Sequence, residues 1–158
     1  EPFKKRTAQG LILAENGEKM SKSAGTSVDP IETVEEYGAD VLRLYILFMS
    51  DYEAAAPWSN KNISGCKRFL ERIERMVDFI DDYKGIHPEH VDDIDTIIAK
   101  VTEDIDNLKY NTAIASLMTF VNKIYNDKFI SHDEFTTLVT LLYPFDKNIH
   151  NIKTPINF

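Results

Sequence analysis

Lys19-Met20-Ser21-Lys22-Ser23 sets two ammonium groups and two hydroxyls within five residues, in a loop that opens with Gly17-Glu18 and closes with Ala24-Gly25. Cations and hydroxyl donors on a glycine-flanked backbone are equipment for gripping a polyphosphate. Phosphate oxygens take charge-assisted hydrogen bonds, and glycine lets the chain bend around them. On composition alone a solvated surface turn is the simpler reading, because Lys, Ser and Gly are common loop residues. The order of these residues and the elements that follow them favour the phosphate loop.

Those elements have legible boundaries. Gln9 to Ala14 is a short apolar run opened by a glycine and predicts one strand, whose partners are expected in chain upstream of this sequence. Asp29 and Pro30 form a helix start, cap and first position, for a short helix carrying Ile31, Val34 and Tyr37, with Gly38 as its stop. Ala39 to Met49 is apolar nearly all round and predicts a buried helix. Its exception, Arg43, either meets a local carboxylate or solvent, or serves substrate or tRNA. Residues 50–59 read as a connection.

A long amphipathic helix is predicted over Asn60 to Tyr83. Ile63, Cys66, Phe69, Leu70, Ile73, Met76, Val77 and Ile80 share one arc, and Arg68, Arg72 and Arg75 lie opposite. The arginines form either a solvated face balanced by Glu71 and Glu74 or an RNA-contacting one. Gly85-Ile86-His87-Pro88 breaks the pattern. His87 and His90 read as ordinary loop histidines, since no third His or Cys accompanies them, so no metal site is expected. A further helix carries Ile94, Ile97, Ile98, Val101, Ile105 and Leu108. Asn111 is placed to cap the next, with Ile114, Leu117, Met118, Val121, Ile124 and Tyr125. Ser131 and Glu134 form a capping box for a last helix ended by Pro144. Four amphipathic helices with short connections bury their stripes against one another, so the fold class is mainly α, a helical bundle. Residues 146–158 lack periodicity and are expected to be loosely ordered or dependent on chain outside this sequence.

The 158 residues suffice for one good core, and an apolar content of 43% makes the chain globular. No apolar run approaches the roughly 18 to 20 residues that span a bilayer, so no membrane partner is expected. A single cysteine, Cys66, rules out an internal disulfide and fits a reducing cytoplasm. The net charge of −8 argues against nucleic acid until its distribution is inspected. Between Asp78 and Asp106 ten acidic residues face only Lys84 and Lys100, which is −8 in that segment alone. Lys61 to Arg75 carries five basic residues against two acidic ones, so a phosphate backbone would be drawn to that side. The chain opens in mid-pattern at Glu1-Pro2-Phe3, which reads as a piece of something larger.

Lys19 to Ser23, with Gly25 and then Asp29-Pro30, resembles the second signature of class I aminoacyl-tRNA synthetases. Glu36-Tyr37-Gly38-Ala39-Asp40 and Leu42-Arg43-Leu44-Tyr45-Ile46-Leu47-Phe48 are similar to the segment that follows this loop in leucyl-tRNA synthetases. Trp58-Ser59, Arg68-Phe69-Leu70-Glu71-Arg72, Lys100 to Ile105 and Tyr110 to Met118 continue the resemblance, which covers about residues 1 to 145. Methionyl, isoleucyl and valyl enzymes share the loop and are the alternatives among enzymes; a non-catalytic helical RNA-binding module is the alternative outside them. Ala24 departs from the usual third lysine, Thr26-Ser27 replaces an Asn-Val pair, and no His-x-Gly-His element occurs.

The resemblance implies residues 1–49 as the end of a Rossmann-like catalytic domain and 50–145 as a helical anticodon-binding-type bundle. It implies leucine activation with ATP and Mg²⁺, then transfer to tRNA(Leu), by the full-length enzyme. Lys22 is the main catalytic cation, supported by Lys19; Met20, Ser21, Ser23 and Gly25 complete the ATP loop. Lys67, Arg68, Arg72 and Arg75 are the expected tRNA contacts. The isolated chain is expected to be an inactive monomer with a mobile loop.

Overall fold

The computed structural model describes residues 4–149 and 152. Among them the order is β1 (Ile12–Leu13), α1 (Pro30–Tyr37), α2 (Ala39–Phe48), β2 (Ala56–Pro57), α3 (Asn60–Arg75), a short 3-10 turn (Met76–Phe79), β3 (Ile80–Asp81), α4 (Val91–Asp106), α5 (Tyr110–Asp127), β4 (Ile130–Ser131) and α6 (His132–Leu142). The helical stripes meet as their periodicity requires. Leu44 and Tyr45 of α2, Ile63 and Ile73 of α3, Val101 of α4, Ile114 and Leu117 of α5 and Leu138 of α6 are buried in one apolar cluster. Each such side chain contributes about 1.5–3 kcal/mol relative to exposure, and the mainly α class follows.

The helix starts are made by the expected residues. Asp29 Oδ1 accepts the Ile31 amide at 2.7 Å with Pro30 at the first position, and Gly38 ends α1 at φ 92°. Ser131 and Glu134 complete a reciprocal capping box on α6. Arg43 meets the local carboxylate, Asp40, at 2.6 Å.

Five expectations differ from the structure. First, one partner of β1 lies within the chain: β1 pairs in parallel with β2, with Ile12 opposite Ala56 and Leu13 opposite Pro57. The Ala56 amide donates to Leu11 O at 3.0 Å and the Trp58 amide to Leu13 O at 2.9 Å. Pro57 falls between these two donors, where its missing N–H costs nothing.

Second, α3 stops at Arg75 instead of running to Tyr83. Asp78, Asp81 and Asp82 would crowd the negative end of a longer helix. The chain instead turns outward and pairs Ile80 with Ile130 and Asp81 with Ser131.

Third, α5 begins at Tyr110 and not behind an Asn111 cap; Asn111 Nδ2 instead donates to Asp51 Oδ1 at 3.1 Å. The α4–α5 turn is closed by buried Asp104, which accepts from Thr112 Oγ1 and Lys100 Nζ, each at 2.6 Å. Burial alone would raise the pKa of Asp104, but these two hydrogen bonds outweigh it and hold the carboxyl below its ordinary value.

Fourth, the start of the tail is packed: Asp146 and Ile149 are buried, and Asn148 donates to Asp40. Residues 150, 151 and 153–158 lie outside the described residues. Fifth, His87 and His90 are buried.

Gly10 is where the chain around β1 comes closest to the connection before β2. Its amide donates to Tyr52 O at 2.9 Å, and a Cβ there would stand 1.9 Å from the Ala54 carbonyl oxygen. Gly10→Ala must therefore displace backbone. A loss of about 1–3 kcal/mol in urea unfolding is expected; an unchanged midpoint would mean that this contact does not fasten the connection.

Candidate functional site

The lysine loop hangs from β1. The Ala14 amide donates to Glu18 O and the Gly17 amide to Ala14 O, both at 2.8 Å, so a tight turn with Gly17 at φ 81° precedes the lysines. Leu13 bridges Lys19 in antiparallel fashion. Beyond Met20 the chain closes on itself. The Thr26 amide donates to Ser21 O at 3.1 Å and the Ser21 amide donates to Thr26 Oγ1 at 3.0 Å. Gly25, at φ 67°, donates its amide to Lys22 O at 3.2 Å, and the Ser21 and Ser23 hydroxyls lie 2.9 Å apart.

Thr26 is the residue that sequence reasoning passed over. It stands as a departure from the usual Asn-Val pair, yet its side chain and backbone both shut the loop.

Met20 anchors the loop to the bundle. It lies in an apolar groove with Ile12, Val28, Leu42, Ile46 and Trp58. Lys19 and Lys22 are exposed, and no carboxylate lies within ion-pair distance of either among the described residues. The loop thus presents two uncommitted cations and two hydroxyls on a seated base. A cavity of about 510 Å³ between the loop and α1 is lined by Glu15, Asp29, Glu32 and Glu36 and, among the described residues, by no cation. A polyphosphate would be repelled there and attracted to the lysine side.

Position around α3 sets Lys67 apart from Arg68 and Arg72 among the four expected tRNA contacts. Arg68 and Arg72 line a groove between α3 and α5 with Lys61, Asn62, Met118 and Asn122, and among the described residues no carboxylate lines it. Arg72 is held in place: Nη1 donates to Asn122 Oδ1 at 2.7 Å, and its guanidinium carbon lies 4.1 Å from the centre of the Tyr125 ring. The Tyr125 hydroxyl in turn donates to Arg72 O at 2.7 Å. Arg75 is exposed in the next turn.

Lys67 instead faces a second groove, with Asp40, Glu71, Glu74 and Asp146. Glu71 and Glu74 therefore turn to the Lys67 side. Among the described residues no carboxylate lies within ion-pair distance of Lys61, Arg68, Arg72 or Arg75.

Two buried groups have structural explanations. Burial pushes the Cys66 thiol up to about 11, which removes it as a nucleophile. The Tyr45 hydroxyl accepts the Ser59 amide at 2.8 Å, while burial raises its pKa.

Residues 1–59 match the family model of class I tRNA synthetases (I, L, M and V). The chain is similar to the leucine--tRNA ligase of Alkaliphilus oremlandii, with 44% identity over 149 residues, 94% of this chain and 19% of the relative. Against the leucine--tRNA ligase of Bdellovibrio bacteriovorus the identity is 40% over 150 residues, 92% of this chain and 19% of the relative. The fold is similar to that in a crystal structure of the ternary complex of Agrobacterium radiobacter K84 agnB2 LeuRS, tRNA and LeuAMS. The TM-score is 0.76 and the identity 29%, covering 89% of this chain and 21% of that one. The chain spans about one fifth of the length of these relatives.

If Thr26 shuts the loop, Thr26→Val should open it without unfolding the bundle. Amide exchange at Ser21, whose N–H would lose its acceptor, is expected to rise on the order of tenfold. Unchanged protection at Ser21 would assign closure to the backbone bond alone.

Proposed function

We infer that this chain, homologous over most of its length to a one-fifth segment of leucine--tRNA ligases, serves that reaction as part of a full-length ligase. The observation that carries the reading is the seated loop with Lys19 and Lys22 uncommitted, in a chain whose homologues carry that activity. The ligase joins leucine to ATP as an adenylate and then transfers the leucyl group to tRNA(Leu). In this reading residues 1–49 close the catalytic domain, and 50–145 form the helical unit that meets tRNA.

In the first step the leucine carboxylate attacks the α-phosphate, and pyrophosphate leaves with growing negative charge. A preorganised cation helps most where charge develops. Lys22 takes that role with Lys19 beside it, while Ser21, Ser23 and the Gly25 backbone shape the loop or donate hydrogen bonds. Ammonium groups suit phosphate oxygens and repel a divalent cation, and residues 19–25 of the loop offer it no carboxylate. Any Mg²⁺ accompanying ATP would rest on the phosphates and on parts of the ligase beyond this chain. Gly17 and Gly25, both at positive φ, would let the segment between them move as a lid.

Lys22→Ala in the full-length ligase is expected to slow leucine-dependent adenylate formation by about 100-fold or more, the usual cost of losing one transition-state donor. Near-normal pyrophosphate exchange in that variant would sink the assignment.

The α3–α5 groove supports a tRNA role for Arg68 and Arg72, with Arg75 beyond them, through the sugar–phosphate backbone and not through base identity. Lys67, among carboxylates, contributes less. Replacing Arg68, Arg72 and Arg75 together should weaken tRNA(Leu) binding and lower the slope of log K against log salt by about 3, one unit per lost phosphate contact. Lys67→Ala should leave that slope nearly unchanged. Equal effects from both variants would mean that the groove's lack of acid has no bearing on RNA.

A further inference from the structure

The segment from Asp81 to His90 ends in a buried polar cluster far from the lysine loop in sequence. His87 is 7% exposed, and His90 and Glu134 are 0% exposed. Glu134 caps α6 and also collects both histidines. Its Oε1 accepts the His87 amide at 2.7 Å and faces His90 Nδ1 at 3.1 Å. Its Oε2 accepts the Ser131 amide at 2.7 Å and faces His87 Nδ1 at 2.9 Å. Four nitrogen partners fill the hydrogen-bonding capacity of this carboxylate. Three potential metal donors converge within 4.8 Å here, but a cation would have to displace these bonds.

The other edge of His87 meets a second carboxylate, with Nε2 lying 3.2 Å from Asp81 Oδ2. A neutral imidazole has one N–H and one lone pair. Whichever nitrogen carries the hydrogen, the other would set a lone pair against an acid oxygen. Both contacts are attractive only when the ring carries two protons.

We propose that His87 is a proton-operated clamp: as an imidazolium it bridges Asp81 of β3 to Glu134 of α6, and on losing a proton it releases β3. The clamp closes the end of the bundle where β3 pairs with β4, through Ile80–Ile130 and Asp81–Ser131.

The surrounding charges favour the protonated ring. Glu134 faces it from α6 and Asp81 from β3, while Tyr83 stacks on it at 4.2 Å between ring centres. From the start of α4, His90 approaches to 5.6 Å between ring centres. Its Nε2 lies 3.2 Å from Asp127 of α5, whose carboxylate pairs with Lys123 at 2.9 Å. Asp93 stands 3.6 Å from the same lysine, and Asp133 accepts the Gly85 amide at 2.8 Å. His90, like His87, faces a carboxylate from each ring nitrogen; among the described residues in these contacts Lys123 is the permanently charged cation, and carboxylates outnumber it.

Burial on its own lowers the pKa of His87, but the hydrogen bond and charge of Glu134, then those of Asp81, overcome it and leave the group above its ordinary value. The bound proton therefore stabilises the fold fully below about pH 6.5. That contribution is lost as pH rises through the folded pKa. The clamp is independent of the enzymatic reading, because it concerns only how the bundle closes.

Histidine NMR on the 158-residue chain, with thermal unfolding across the same range, tests it. His87 should titrate above about pH 6.5, and Tm should fall on the order of 3 °C between about pH 6 and pH 8.5. Asp81→Asn removes a half-exposed charge and leaves the Glu134 cap intact. It should lower the His87 pKa and flatten the Tm profile. A His87 pKa at or below the ordinary value, or a Tm profile indifferent to Asp81→Asn, would overturn the clamp. A Tm lowered by EDTA at fixed pH would overturn it in favour of a bound metal.

Discussion

Trp58 is the joint on which the loop's position depends. Its amide donates to Leu13 O at 2.9 Å, which ties it to β1, and its indole N–H donates to Asn60 Oδ1 at 2.8 Å, at the start of α3. Its ring stands edge-on to Tyr45 of α2, 4.9 Å between centres, and its face completes the groove that receives Met20. At 6% exposure this side chain bonds to or packs against three elements and the loop at once. An aromatic residue with one polar handle suits such a place, since its large apolar surface fills the joint and its N–H still finds an acceptor. Remove the joint and the lysines lose their relation to the helices, although every helix keeps its own stripe.

Around that joint the charges are segregated. The lysine loop and the α3–α5 groove offer cations without acid partners among the described residues. The cavity beside α1 and the groove around Lys67 are lined by carboxylates. The net charge of −8 thus conceals two surfaces that anions can approach. Arg72 illustrates how such a surface is prepared. Asn122 and Tyr125 fix its guanidinium before any ligand arrives, so less side-chain entropy remains to be lost on binding.

Much of this was legible in the residue order because the relevant physics is local. Asp29-Pro30, Gly38 and the Ser131–Glu134 box act within four residues of themselves, and their caps form as expected. Helical periodicity placed Ile63, Phe69 and Ile73 in the core for the same reason. What escaped is non-local. The parallel pairing of β1 and β2 joins residues more than forty positions apart and involves only two residues per strand, too short for any alternation to register. His87 and Glu134 lie 47 residues apart, so spacing could not reveal that a capping carboxylate also holds two buried histidines. The end of α3 was missed because Met76, Val77 and Ile80 continue the helical stripe while the chain leaves the helix; acidic residues and pairing with Ile130 override periodicity. Lys67 and Arg68 are neighbours in sequence but about 100° apart around the helix, and that rotation sends them to grooves of opposite character.

In the proposed reading, joint, loop and basic groove together serve a larger ligase, and the amino acid which that ligase activates decides the reading. Amino-acid-dependent exchange of pyrophosphate into ATP, measured on the full-length protein that contains this chain, tests it directly. The account predicts exchange driven by leucine and not by methionine, isoleucine or valine. Exchange driven by one of those three in place of leucine would contradict it.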